Sequence, residues 1–380
     1  MDDPFAHIPL LDQHAHSLLL RQPATPREFR ACFTESDAAE IIERHVPWSL
    51  FYRRALRDLA TFFGCAPTED AVFAARAGWP LDRLVRKMLA DAGIAGILVD
   101  LGLRVQEHYD LEGLRALLPC PAFPVLRLET LAERLVPGAT TWRDFQDRFV
   151  AAVEAAAEAD LWAFKTIIAY RTGLAIDLWD QDARETAFSE TRAAFLAGRP
   201  RLQSKPLLDT LLRRALEVAA RRRLPVQIHA GFGDRDLDLR LVNPVWLRPI
   251  IEEPAFRGAP LVLLHSHPYV REAAWLAAVY PHVHVDLSLT IPFLAHGAAD
   301  AIADALAMAP ATKILLATDA FSIPELFWLG ARHARQALDV AAQAVEARGY
   351  LPRADRDALA RLLLHDNAAA LYGIGSHGSR

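Results

Sequence analysis

The sequence predicts an α/β chain folded as a single (β/α)8, or TIM, barrel spanning residues 1–380. Three observations carry that prediction. Eight short apolar runs, several rich in branched residues and closing on polar ones, recur along the chain. Long Ala/Leu/Arg/Glu stretches with helical spacing separate them, the alternation expected of parallel strands covered by helices. A length of 380 residues suits one such barrel with insertions.

In order, the runs are IPLLDQ, ending in His14-Ala15-His16; GIAGILVDLG; CPAFPVLRLE; WAFKTIIAYR; LPVQIHAG; PLVLLHSHP; HVHVDLSL; and KILLATDAF. Residues 17–87 separate the first two and carry Phe29, Phe33, Trp48, Phe51, Tyr52, Phe62 and Phe63 amid charged residues. A helical insertion forming a lid over the barrel mouth is expected there. Beyond the last run, residues 325–375 read as bracing helices, Glu325 to Ala347 and Arg353 to Leu371, with Gly349 and Pro352 marking a stop and a restart. Residues 376–380 read as a frayed tail.

A hydrophobic share of 52% with 23% charged residues excludes a disordered or fibrous chain. Lys plus Arg at 42 against Asp plus Glu at 47, a net charge of −5, argues against nucleic acid or an anionic membrane as partner and for a small-molecule substrate. Cys32, Cys65 and Cys120 form no CxxC pair, so neither a disulfide framework nor a thiolate zinc site is implied. Without a signal-like start or a bilayer-length apolar run, a cytoplasmic protein is expected. A homodimer is expected only because twofold oligomers are common.

The chemistry gathers at the ends of the runs. Strand side chains alternate, which puts Asp12, His14 and His16 on one face of the first strand with both histidines at its C-terminal end, the catalytic end of a barrel. His229 closes the fifth run, His265 and His267 the sixth, and Asp319 the eighth. Imidazole and carboxylate ligands without thiolates suit Zn²⁺ or a neighbouring divalent ion and leave room for water or substrate. Arg171, Arg235 and Arg271 stand near strand exits, where a guanidinium fork can pair with a substrate carboxylate. Gly231-Phe232-Gly233-Asp234 lets the backbone turn close to the site but lacks the Lys-Ser/Thr ending of a phosphate cradle.

This arrangement resembles the amidohydrolase superfamily: His-x-His after strand one, a His after each of strands five and six, and an Asp after strand eight. More narrowly, FKTIIAYRTGL, LLHSHPYVREAAWLAAVYPHVHVDLSL, ATDAF and LLLHDNAAALYGI resemble the amidohydrolase-related group that includes the domain of fluG-type glutamine-synthetase-like proteins. FKTIIAY is also similar to the stretch of cyclic-amide hydrolases in which a carboxylated lysine bridges two metals and a tyrosine polarises the substrate carbonyl. The resemblance implies Lys165 as that carbamate and Tyr170 as that donor. An amine in an apolar strand is costly when charged, which favours carboxylation, although an ion pair with Asp12 or Asp319 would also satisfy it. Tyr170, five residues on, reaches the same site only if the strand ends before it.

The resemblance further implies His14, His16 and Asp319 on one ion, His229 and His265 on a second, and Asp319 as the acid–base. His265 matches the family's ligand position, which leaves His267 as a candidate substrate contact. The metal is expected to be Zn²⁺, with Mn²⁺ or Fe²⁺ as alternatives and one or two ions bound. The implied activity is hydrolysis of a small amide, a γ-glutamyl amide among the candidates. A mononuclear decarboxylase of an unsaturated or aromatic acid, its ion on His14, His16, His229 and Asp319 with His265 as a nearby catalytic acid or electrophile, is the alternative, and a non-catalytic binding module the second alternative.

Overall fold

The computed structural model describes residues 3–103 and 106–375; the tail read at 376–380 lies outside them. Eight parallel strands pair in chain order: β1 (Leu10–His16), β2 (Ile94–Asp100), β3 (Ala122–Arg127), β4 (Ala163–Thr166), β5 (Val226–Ala230), β6 (Leu261–His265), β7 (Val283–Asp286) and β8 (Ile314–Leu315). Each falls within one of the eight apolar runs. Register pairs His16 with Asp100, Arg127 with Lys165 and Ala230 with His265, so the polar strand ends meet at one rim. β8 is two residues long, and the segment after it completes the nearly closed barrel. Asp319 N–H donates to His14 C=O at 2.9 Å and His16 N–H to Ala320 C=O at 2.7 Å. Those bonds hold Asp319 beside both histidines of β1.

Alternation in β1 does not run unbroken to its end, because the register shifts between Asp12 and Ala15. Such an irregularity re-aims side chains. Asp12 accepts hydrogen bonds from the Thr318 N–H at 2.8 Å and hydroxyl at 2.6 Å, while consecutive Gln13 and His14 both join a network around Gln227. Below that network, Leu11, Leu98, Val125, Val262, Leu264 and Leu315 fill the barrel, and Tyr372 from the C-terminal helix (Asn367–Tyr372) closes its floor.

Between β1 and β2 stand helices Pro26–Ala31, Leu50–Phe63, Glu69–Ala77 and Leu81–Asp91. Thr25, Ser49 and Thr68 cap the first three by accepting from the N–H groups of Glu28, Tyr52 and Ala71. Gly64, at φ 68°, ends the second in the left-handed conformation. The fourth packs on helix Pro324–Ala347 and leads into β2, as a barrel helix does. The remainder docks through buried polar anchors. Arg76 pairs with Glu325 and donates to Gln22 Oε1 at 2.6 Å, and Asp58 lies 3.2 Å from His333; within the insertion itself, half-buried Arg30 grips Glu69 with two bonds of 2.7 and 2.6 Å. Among the described residues, no helix is long and apolar enough to cross a membrane.

Candidate metal centre

The hydrogen-bond partners of the histidines decide which ring nitrogens carry protons. Gln227 Nε2 faces the Gln13 backbone carbonyl at 2.7 Å, which can only accept, so its amide oxygen faces His14 Nδ1 at 2.8 Å. Nδ1 must then donate, and His14 Nε2 keeps its lone pair. The same logic gives His16 a free Nε2, since its Nδ1 donates to the Asp100 carbonyl at 3.1 Å. It gives His229 a free Nδ1, since its Nε2 donates to the Phe232 carbonyl at 3.1 Å. His265 Nδ1 donates to Ser288 Oγ at 2.9 Å, whose own proton goes to Asp286 at 2.6 Å; this contact outcompetes the 3.4 Å approach of the Leu289 N–H. Each ring thus presents an unprotonated nitrogen and is oriented by a partner behind it, as metal-binding histidines require.

Asp319 Oδ1 lies 3.1 Å from His14 Nε2 and 3.3 Å from His16 Nε2. It is buried and has no hydrogen-bond donor. A carboxylate oxygen amid lone pairs is a cost that a cation removes, so the residues present fit a divalent ion. Ligand atoms of His14, His265 and Asp319 lie within 4.8 Å of one another, a grouping that takes members from both of the ligand sets expected above. The His229 ring lies tilted against His265 at a centroid distance of 4.5 Å, and Lys165 Nζ points at His14 Nε2 from 3.2 Å.

Burial pushes the His14 ring down to about 4, helped by the Lys165 charge, and holds His229 and His265 well below the usual histidine range. All three rings are neutral at physiological pH, the form a metal ligand takes. Burial brings Lys165 down to about 8 against the pull of Asp100 and Asp319. The lowered value enlarges the neutral fraction, the form of an amine that carboxylation needs. Backbone strain gathers here too: His265, Ser266 and Asp319 have φ of 65°, 66° and 50°, a region that costs a non-glycine residue about 1 kcal/mol or more.

Above the centre lies a cavity of about 1240 Å³ lined by His16, Lys165, Tyr170, His229, His265 and Asp319 together with Arg127, Arg171, Arg201 and residues of the insertion. β4 ends at Thr166, and a 3₁₀ turn over Ile168–Tyr170 swings the tyrosine ring to 4.5 Å from His229. Tyr170 therefore reaches the site by the early strand end that its offset demanded. Gly231, at φ 77°, brings the loop after β5 against the Ser266–His267 backbone, where any Cβ would collide.

The arginines divide. Arg171 lines the cavity, with Glu133 at 3.4 Å. Arg235 sits at the rim, 73% exposed and paired with Asp37. Arg271 is not brought to the cavity: it lies on helix Val270–Val279, 78% exposed, and pairs with Asp304. Its position one turn past the strand exit turns it outward. His267 lines neither this cavity nor the neighbouring aromatic pocket; its ring meets Phe232 edge-on at 5.9 Å.

Asp100 and Arg127 escaped the sequence reading. They close β2 and β3, so the rule applied to strands one, five, six and eight would have found them. Arg127 donates two bonds to Asp100 Oδ2, at 2.9 and 2.6 Å, and still lines the cavity. Gln227 and Tyr372 gave no such signal, being polar residues within apolar runs.

Comparison with known proteins bears on the family and the fold. A family model described as Amidohydrolase matches residues 132–374. The chain is 32% identical over 404 residues to protein fluG of Emericella nidulans; the match covers 96% of this chain and 46% of that protein, so the chain spans about half of its relative's length. A crystal structure of a Lactobacillus casei protein assigned as a metal-dependent hydrolase superposes with a TM-score of 0.87 at 28% identity, covering 97% of this chain and 96% of that one. Uronate isomerase of Thermotoga maritima, at 14% identity, TM-score 0.63 and coverage of 96% and 94%, shares the fold.

Proposed function

The chain belongs to the amidohydrolase family, and on that premise we propose that it hydrolyses a C–N amide bond in a small anionic molecule, a γ-glutamyl amide being the leading candidate. The observation that carries the proposal is the donorless, buried Asp319 Oδ1 set between free histidine nitrogens. His14, His16, His229, His265, Asp319 and carboxylated Lys165 would hold one or two ions, with Zn²⁺ the natural choice for this set. The ion supplies Lewis acidity, lowering the pKa of water and polarising the carbonyl.

Asp319 accepts the proton of the attacking water as its oxygen bonds to the carbonyl carbon. It then returns that proton to the nitrogen as the C–N bond breaks, so that acid and amine leave with one water consumed. Burial, together with Glu35, Asp234 and Asp319, holds the Tyr170 hydroxyl well above its usual range, so it stays protonated and can donate to the carbonyl oxygen. Arg127, Arg171 and Arg201 offer donors to a substrate carboxylate. The insertion covers the mouth and limits water.

The test is to present metal-replete protein with small anionic amides in ¹⁸O water. Amine release with label in the product acid is expected, and Asp319→Asn should lower kcat by about 10²–10⁴-fold with an unchanged fold. Carbon dioxide release without amine would overturn the proposal in favour of a decarboxylase.

A further inference from the structure

We infer that an aromatic pocket beside the metal-centre cavity receives the amine portion of the substrate, so that the preferred amides carry an apolar, aromatic amine. The inference rests on the hydrolase reading above and names the half of the substrate which that reading leaves open. The pocket, of about 660 Å³, lies between the insertion and the loops after β5 and β7, within the size range of small-molecule sites. A run of rings forms its wall: Phe33 to Phe51 at 5.4 Å, Phe51 to Phe293 at 5.4 Å and Phe293 to Phe232 at 6.2 Å, all tilted or edge-on. A flat ring entering there gains further edge-to-face contacts. At its rim, Leu50 and Ile41 remain 59% and 37% exposed, apolar surface that an occupant would cover.

Position ties the pocket to catalysis. Thr34, Glu35, Ser36 and Arg235 line both spaces. Gly233 also lines the pocket, and a Cβ built on it would fall 2.7 Å from Tyr170 Cζ, so a single thickness of backbone separates the pocket from the tyrosine facing His229. Charge sorts the two spaces as well. Arg127, Arg171 and Arg201, which pair with Asp100, Glu133 and Asp236, line the metal-centre cavity and not the pocket, and Arg235, paired with Asp37, is the one arginine that both share. An anionic acyl group belongs with the arginines, and an uncharged apolar group with the phenylalanines.

Two measurements on the metal-loaded full chain test the inference. Calorimetry follows binding of phenethylamine, and steady-state kinetics compare kcat/KM for the γ-glutamyl amides of phenethylamine and of methylamine. Leu50→Glu, at an exposed helix start, and Phe293→Ser should each weaken phenethylamine binding and lower the aromatic-to-methyl kcat/KM ratio by about ten-fold. Equal kcat/KM for the two amides, with phenethylamine failing to bind or binding wild type and variants alike, would overturn the inference while leaving the hydrolase reading intact. Phenethylamine binding that the variants weaken, with neither amide cleaved, would overturn the hydrolase reading and the amine assignment with it.

Discussion

Replacing Gln227 with Met tests how the centre is held from below. Gln227 is fully buried; its amide oxygen takes the His14 Nδ1 proton at 2.8 Å, and its nitrogen reaches the Gln13 carbonyl at 2.7 Å and the Tyr372 hydroxyl at 2.9 Å. Met fills a similar volume and removes all three bonds. With His14 neutral, its ring has one proton to place. Left on Nδ1, that proton is a buried orphan costing about 1–3 kcal/mol. Moved to Nε2, it occupies the lone pair directed at Asp319 and Lys165. Both routes penalise the metal-bound form, and loss of such a supporting partner weakens metal affinity by about 10–100-fold. Chelator competition reads the affinity directly, independent of any substrate. Gln227→Glu keeps an acceptor for Nδ1 and should retain more of the affinity than Met does. Wild-type affinity in Gln227→Met would refute the tautomer argument.

Further expectations concern docking, pH and the tyrosine. Arg76→Met leaves Glu325, which is fully buried, without its cation and should cost about 3–5 kcal/mol in urea unfolding; a loss near zero would mean the pair does not anchor the insertion. His284, whose Nδ1 is buried without a partner, is pushed down to about 3 by burial and by Lys313. The unfolded chain therefore binds the proton that the folded chain refuses. Stability should fall as pH drops from about 6.5 toward 3, with roughly 2 kcal/mol of that loss reached by pH 5. Denaturation of His284→Gln across that range should show a shallower slope, and an identical slope would discard this histidine as the source. Gly233→Ala should displace the Tyr170 ring and lower kcat for an amide by about 10²-fold or more; full turnover would remove Tyr170 from the machinery.

What the sequence determined by itself is the barrel and most of the candidate residues at its rim. β1 to β8 were visible because strand character is local: apolar runs with polar ends, separated by helical spacing. His14, His16, His229, His265 and Asp319 stood out because each closes a run, and parallel strands in one barrel bring those ends to one rim. Tertiary structure decided the rest. The backbone bonds from Asp319 and His16 across the β1 seam set the carboxylate between two histidines, although some 300 residues separate them in the chain. The path from Tyr372 through Gln227 to His14 joins residues 145 and 213 positions apart, and nothing beside Gln227 in the chain announces it. The turn that delivers Tyr170, the outward face of Arg271 and the ring of phenylalanines beyond Gly233 likewise depend on where elements stop and what packs against them. Periodicity records which face of a strand is buried; the partners a buried group meets are set by long-range packing, which leaves no local trace in the sequence.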